Sequence, residues 1–363
     1  MIMPTKVSVI VPLRNSGAHI TGLLDSLLSQ DYPSFEILLV GNQGDTTWSA
    51  LPSDLDPRVH IIEVELPEGW MGRDSNFKRN RGAEAATGIV LFYTDVKIRH
   101  QPDWISTGLR LMRENQVEAV AGIMLGTAES TQSFLGRFTD SALIRRNPDF
   151  GQGYILNAQN FGNRESLPIT ACWAMTRAAY ENMGGFDEDA RDSYEDYMSA
   201  WRAVRAGVEF FVSNLWTVFH KHRSKFKPMQ LEYARSARGA AQMFATYPDC
   251  PFGRRRAAQV TIVLAMVFVG VVTLLISLVA LALGNWQILA GLSAIVTALY
   301  VLAGTANTVK AHHWQGFFFP ALTGWFILWF ALHFAQKLRE GGGVSKNNRW
   351  LQTMFSLVLP GVK

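Results

Sequence analysis

Two short constellations hold the groups of this sequence that could do chemistry. The first is Asp95-Val96-Lys97, which follows the apolar run Val90 to Tyr93. Bounded by Gly88 and by charge, that run has the length and composition of a strand covered on both faces. A carboxylate at the carboxyl end of such a strand stands where open α/β sheets place their ligands. Asp95 can offer oxygen to a hard cation. Lys97 cannot, although an ammonium can neutralise phosphate. The second constellation is the adjacent acid pair Glu195-Asp196, which in isolation reads as a solvated helix turn. His220 stands alone after an apolar stretch, where a histidine is more often structural than ligating. Cys172 and Cys250 have neither zinc spacing nor an oxidising context and read as ordinary thiols.

The elements that must position these groups alternate between strand and helix, as in a mostly parallel sheet. Val7 to Val11 is the first expected strand, with a loop at Pro12 to Asn15. Ile20, Leu23, Leu24, Leu27 and Leu28 form one face of a helix near Ala18 to Leu28. Phe35 to Val40 and His60 to Val64 read as further strands. Arg79 to Ala86 looks helical and feeds the strand ending at Asp95. Trp104 to Glu114 reads as an amphipathic helix, Ala119 to Met124 as another strand, Ile169 to Thr176 as an ordered segment, and Glu195-Asp196 as part of a later helix. Residues 129–167 are poorly periodic.

The 363-residue chain is long enough for one sizeable domain and something more. Its apolar residues are unevenly spread: Ala257 to Leu283 is 27 residues without a charge, and Trp286 to Val309 and Trp314 to Gln336 are also uncharged. Each run exceeds the ~20 residues that a spanning helix requires. The N-terminus lacks a signal peptide, because Val7 to Leu13 is short and contains a proline. Arg254-Arg255-Arg256 before the first run then places the first 250 residues on the cytoplasmic side. Net charge is +4, with the basic residues gathered around the membrane boundary. Anionic lipid headgroups fit that placement better than nucleic acid does. The expected organisation is a catalytic domain over 1–222, a juxtamembrane amphipathic segment over 223–257, about three transmembrane helices within 258–337, and a basic tail with a short apolar segment over 338–363.

Residues 6 to about 222 resemble the family 2 glycosyltransferases, which have the GT-A fold. The pieces that carry the resemblance run in order: Val7-Ser-Val-Ile-Val-Pro12, Phe35-Glu36-Ile-Leu-Leu-Val40, Arg79-Asn80-Arg-Gly82, Thr94-Asp95, Gly184-Gly185-Phe186-Asp187-Glu188, Glu195-Asp196-Tyr197, Arg205-Ala-Gly207 and Phe219-His220. Gly69-Trp70-Met-Gly72-Arg73 and Ile98-Arg-His100-Gln-Pro102 resemble most the membrane-anchored branch that glycosylates lipids. The resemblance implies an α/β nucleotide-diphospho-sugar transferase fold followed by C-terminal transmembrane helices. It makes Asp196 the general base beside Glu195. It assigns donor binding to Pro12, Asn15, Asn42, Arg73, Asn80, Asp95 and Lys97, and a metal, Mn2+ or Mg2+, to Asp95 and His220. One base and no enzyme nucleophile implies inversion at the anomeric carbon.

Two departures qualify that pattern. The family has Asp-Asp-Gly-Ser after the second strand, where this chain has Gly41-Asn42-Gln43-Gly44-Asp45. Asn42 retains an amide able to bond a base or ribose. Lys97 falls where the family carries its second acid, the direct metal ligand. Three readings stay open: Lys97 replaces the metal's charge, Asp95 and His220 hold a weak metal, or the domain binds without turnover. The expected function is transfer of a single sugar from a nucleotide-diphosphate donor to a lipid or polyprenyl-phosphate-type acceptor at the cytosolic membrane face. The alternative is a catalytically silent binding or scaffold subunit.

Overall fold

Val7, Val9, Ile10 and Val11 are wholly buried, so the first strand, β1 (Val7–Pro12), is covered on both faces. The same continuous burial marks β2 (Phe35–Asn42), which includes Glu36, and β4 (Val90–Tyr93). In this computed structural model, residues 5–139, 153–162, 168–221, 225–284 and 319–340 are described, with 287, 291 and 301. The chain divides into two units, Met1–Arg223 and Ser224–Lys363.

In the first unit, β1 pairs in parallel with β2 and β4, and β2 in parallel with β3 (Val59–Val64). Beyond β4 the sheet becomes mixed. β8 (Trp173–Thr176) is antiparallel to β4 and to β6 (Ala119–Gly126), and β6 is parallel to β9 (Phe210–His220). β5 (Ile98–His100) and β7 (Tyr154–Leu156) both run antiparallel to β9. The strand order is β3-β2-β1-β4-β8-β6-β9-β5, with β7 paired to β9 off that path. The expected mostly parallel character therefore holds for the half built from β1 to β4. The strands β5, β7 and most of β9 are additions that the sequence reading did not assign. Parts of the aperiodic stretch, 140–152 and 163–167, lie outside the described residues.

Two helices cover opposite faces of the parallel half, α1 (Gly17–Leu28) against Val9 and Val11 and α2 (Ser75–Ala85) against Ile10. α1 buries Ile20, Leu23, Leu24 and Leu27, a spacing of three and four residues that makes one apolar face. α2 starts a turn earlier than expected and buries mostly polar residues. It lies close on the sheet at Gly82, where an added Cβ would stand 2.5 Å from Ile10 Cγ2 and 3.0 Å from Val40 Cγ2. Under α3 (Trp104–Glu114), the rings of Trp104 and Trp216 stack at 5.5 Å and both meet Phe92 edge-on. Cys172 is sealed in this core, and burial pushes its thiol up to about 12, as the reading of an inert thiol requires. α4 (Phe134–Phe138), α5 (Arg177–Asn182) and α6 (Glu195–Arg205) complete the unit.

The second unit contains α7 (Phe226–Thr246), α8 (Pro251–Ala282) and α9 (Phe319–Glu340). Ala234, Ala237, Ala240 and Ala241 on α7 are buried, small side chains that let helices approach closely. The expected transmembrane helices are not met among the described residues: no helix there is long and apolar enough to cross a membrane. Nearly all of the run Trp286 to Val309, and the tail 341–363, lie outside the described residues.

Candidate active site

The parallel register brings the ends of β1, β2 and β4 to one edge, with Asn42, Pro12 to Asn15 and Asp95 along it. Each loop is clamped. Leu13 N–H donates to Val40 O at 2.7 Å, and the buried Lys78 ammonium donates to Leu13 O at 2.5 Å while pairing with Asp74 at 2.7 Å. The Asp45 carboxylate accepts from Asn15 N–H at 3.0 Å and from Thr47 N–H and Oγ1–H. Burial would raise its pKa, but the two Thr47 bonds outweigh it and hold the carboxyl below its usual range. The one acid of this turn therefore joins two loops. Asn15, at a left-handed φ of 49°, uses its Oδ1 to accept from Thr46 Oγ1–H at 3.1 Å. Asn42 differs: its Oδ1 is buried with no hydrogen-bond partner among the described residues.

At the end of β4, Thr94 Oγ1 lies 2.8 Å from His100 Nε2 and donates to Ala171 O. Burial drives His100 down to about 3, so it is a neutral fixture. Ile98 N–H closes a turn onto Asp95 O at 3.0 Å. This sets Asp95 half-exposed and Lys97 exposed.

The organising cation is Arg79, which is 1% exposed. Its Nη2 donates to Asp95 Oδ1 at 3.1 Å and its Nη1 to Asn76 Oδ1 at 3.0 Å. Its charge also lowers the pKa of both Glu195 and Asp196, in the first turn of α6. Asn76, Arg79 and Asn80 are spaced i, i+3 and i+4, so α2 turns one polar face towards this region. Asn76 Nδ2 donates to Asp187 O at 2.8 Å. Asn80 accepts from Phe186 N–H and Tyr180 O–H, and donates to Phe186 O and Glu188 Oε1. Those four bonds exhaust an amide. Asn80, expected at the donor, holds the Gly-Gly-Phe-Asp loop through these bonds. Gly184 and Gly185 both sit at φ 71°, a region that favours glycine, and a Cβ on Gly185 would press on Asn80 Oδ1 at 3.0 Å.

Tyr194, at φ 78°, turns the chain sharply into α6 and delivers the acid pair. Glu195 is buried and accepts from Arg73 Nη1 at 2.6 Å. Arg73, expected at the donor, is therefore engaged with the acid pair; Arg73 N–H is itself bonded to Arg191 O at 2.7 Å. Burial pushes Glu195 up to about 7, against the lowering charge of Arg73. Asp196 accepts from Thr170 Oγ1–H at 2.6 Å. Burial, and the charge of Asp95, raise its pKa, opposed by Arg79. The structure brings Asp95, Glu195 and Asp196 into one electrostatic cluster around Arg79. The sequence reading had named Arg79 only as part of a motif and had omitted Thr170. The available signal for Arg79 was a polar helix face in a segment that must pack against an apolar sheet.

Among the described residues, the charges around Asp95 do not favour a divalent cation. The Asp95 carboxylate is bonded to a guanidinium, the next polar side chain is an ammonium, and the described residues contain no group of three acid, His or Cys side chains able to hold a metal. Asp95 and His220, the two expected metal ligands, follow the end of β4 and close β9 respectively, and Asp95 is held by Arg79. His220 stands opposite Ile98.

Known proteins agree with this architecture. Residues 8–184, just under half of the chain, match the family described as Glycosyl transferase family 2. The chain is 30% identical over 193 residues to the O-antigen biosynthesis protein RfbC of Myxococcus xanthus, a match covering 50% of this chain and 15% of that protein. It is 25% identical over 150 residues to glycosyltransferase AglE of Haloferax volcanii, covering 39% of this chain and 49% of the relative. The chain thus spans less than half the length of either relative. Among solved structures, it is similar to a mannosyltransferase of Pyrobaculum calidifontis in complex with GDP-Man and Mn2+. The TM-score is 0.62 at 17% identity, over 92% of this chain and 88% of that one, a likeness of fold.

Proposed function

We propose that this chain, whose residues 8–184 form a family 2 glycosyltransferase domain, transfers a single sugar from a nucleotide-diphosphate donor to a lipid-borne hydroxyl or phosphate, with inversion. The observation that carries the reading is the placement of Asp196 beside Asp95 and Arg79 at the strand ends, with its carboxyl oriented by Thr170. In the step proposed, the acceptor oxygen forms its bond to the anomeric carbon as the bond from that carbon to the diphosphate breaks. The bonding pair leaves with the diphosphate, and where the acceptor is a hydroxyl its proton passes to Asp196; an ionised phosphate has none to give. A carboxylate raised above its ordinary pKa suits a proton taken late in bond formation. Asn42 Oδ1, buried and unpartnered among the described residues, is the candidate contact for the nucleoside.

Membrane attachment and a lipid acceptor belong to the same proposal. The support is the three uncharged runs, the arginines at 254–256, and the exposed Ile262, Leu275, Leu278 and Val279 on α8. Large apolar side chains in such number on one helix are unfavourable in water. The catalytic unit would then face the cytoplasm.

The decisive comparison is Asp196→Asn. It should retain nucleotide binding and lose activity by about 10²–10⁴-fold, the usual contribution of a general base. Equal turnover by both proteins removes Asp196 from that role. A second reading, a silent binding subunit, is favoured by the lysine at position 97; nucleotide binding by the wild type without turnover on any lipid acceptor would select it.

A further inference from the structure

The antiparallel register of β5 and β9 ends with Ile98 opposite His220, so Lys97, just before β5, and Lys221, just after β9, leave the sheet at the same end. Like charges gathered at one end of a sheet repel unless an anion lies among them. Arg99 stands two residues on, on the same side of the strand as Lys97. Its guanidinium lies on α1: a Cβ added to Gly22 would be 2.5 Å from Arg99 Nη2. His19 is one turn before Gly22, on the same face, and Lys97, Arg99 and Lys221 all act on its imidazole.

Among the described residues, little balances this charge. Lys221 pairs with Glu129 at 2.7 Å, but these side chains are 58% and 70% exposed, so the pair is weak. Arg99 Nη1 donates to Ile98 O at 2.8 Å, which leaves its charge intact. Among the described residues no carboxylate lies within ion-pair distance of Lys97 or Arg99, and Asp95 is already bonded to Arg79. Three cations and one exposed acid leave an excess positive charge beside the turn that bears Asp95. A nucleotide-sugar presents one negative charge on each of its two phosphates.

We propose that Lys97, Arg99 and Lys221 form a cationic cradle for the donor diphosphate, supplying positive charge where the surroundings of Asp95 do not favour a divalent cation. The inference rests on the glycosyltransferase reading and extends it: donor binding needs no metal. As the sugar–diphosphate bond breaks, the charge developing on the departing oxygen is taken by these side chains, a fixed electrostatic contribution that needs no reorganisation.

The test is calorimetric binding to the full chain of UDP, GDP, the corresponding monophosphates and inorganic pyrophosphate, each in EDTA and in Mn2+. One diphosphate should bind in EDTA, with pyrophosphate as its competitor, and Mn2+ should leave its Kd unchanged. The double variant Lys97→Gln/Lys221→Gln should weaken the diphosphate by at least about tenfold, the loss of one charge-assisted hydrogen bond. Its monophosphate affinity should hold, and Lys97→Arg/Lys221→Arg should restore diphosphate binding. A merely structural role would move both nucleotide classes together. Diphosphate binding that requires Mn2+, or a double variant that binds as the wild type does, overturns the cradle and leaves the transferase reading standing. Pyrophosphate that binds without competing with either diphosphate assigns the cluster to another anion and overturns it too. No nucleotide binding in either condition overturns both.

Discussion

At the scale of single residues, the site is a balance struck around one buried arginine. Arg79 reaches Asp95 directly and lowers the pKa of both acids of α6, while their burial raises it. Glu195 carries the clearer consequence. Its pKa is raised from 4.5 to about 7, so between those values the folded protein holds a proton that the unfolded chain has lost. The stabilisation from that proton is full below about 4.5 and disappears as pH rises through about 7. Melting temperature measured against pH should therefore decline more steeply in the wild type than in Glu195→Gln across this window, and parallel curves would contradict the assignment. Glu195-Asp196 could be picked out from sequence because the pair sits between recognisable neighbours. The Arg73–Glu195 pair joins residues 122 positions apart, and no local spacing announces it.

At the scale of elements, α2 does most of the positioning. One face, at Lys78 and Gly82, meets the sheet; another, at Asn76, Arg79 and Asn80, holds the loop that leads to α6. Lys78→Met should cost about 3–5 kcal/mol, because it leaves Asp74 buried without its counter-charge and frees the Leu13 carbonyl. Denaturant midpoints of the two proteins measure this; a loss under about 1 kcal/mol, the worth of an exposed pair, would show that Lys78 is not sealed as described. The strands of the parallel half were legible because their apolar runs are covered on both faces. α2 was legible only from Arg79 onward, since its first turn buries polar side chains and so lacks an apolar stripe. β9 went unassigned although Phe210, Phe211, Val212, Trp216 and Val218 are strand-forming residues. Its irregular alternation reflects a shift in register against β6 between Ala121 and Ile123.

At the scale of the whole molecule, two units share the chain, and their chemistry differs. The first carries every group assigned a role at the donor site. The second exposes apolar side chains along α8, and its sequence contains the uncharged runs. If the proposed attachment holds, the full chain should sediment with membranes and stay there through an alkaline carbonate wash, requiring detergent for release. Recovery in the supernatant after carbonate would reject integral insertion and leave at most a peripheral association.

The sequence by itself determined the alternation of strands and helices in the first unit, the strand-end position of Asp95 and the identity of the acid pair. These follow from local properties: hydrophobic period, run length and the order of short motifs. Only the tertiary structure decided which charges meet. Arg79 faces Asp95, Asn80 closes on the Gly-Gly-Phe-Asp loop, and Lys97, Arg99 and Lys221 all act on His19. Such pairings depend on strand register and helix placement across long sequence separations, and the energy of burying or facing a charge exists only once the chain has folded around it.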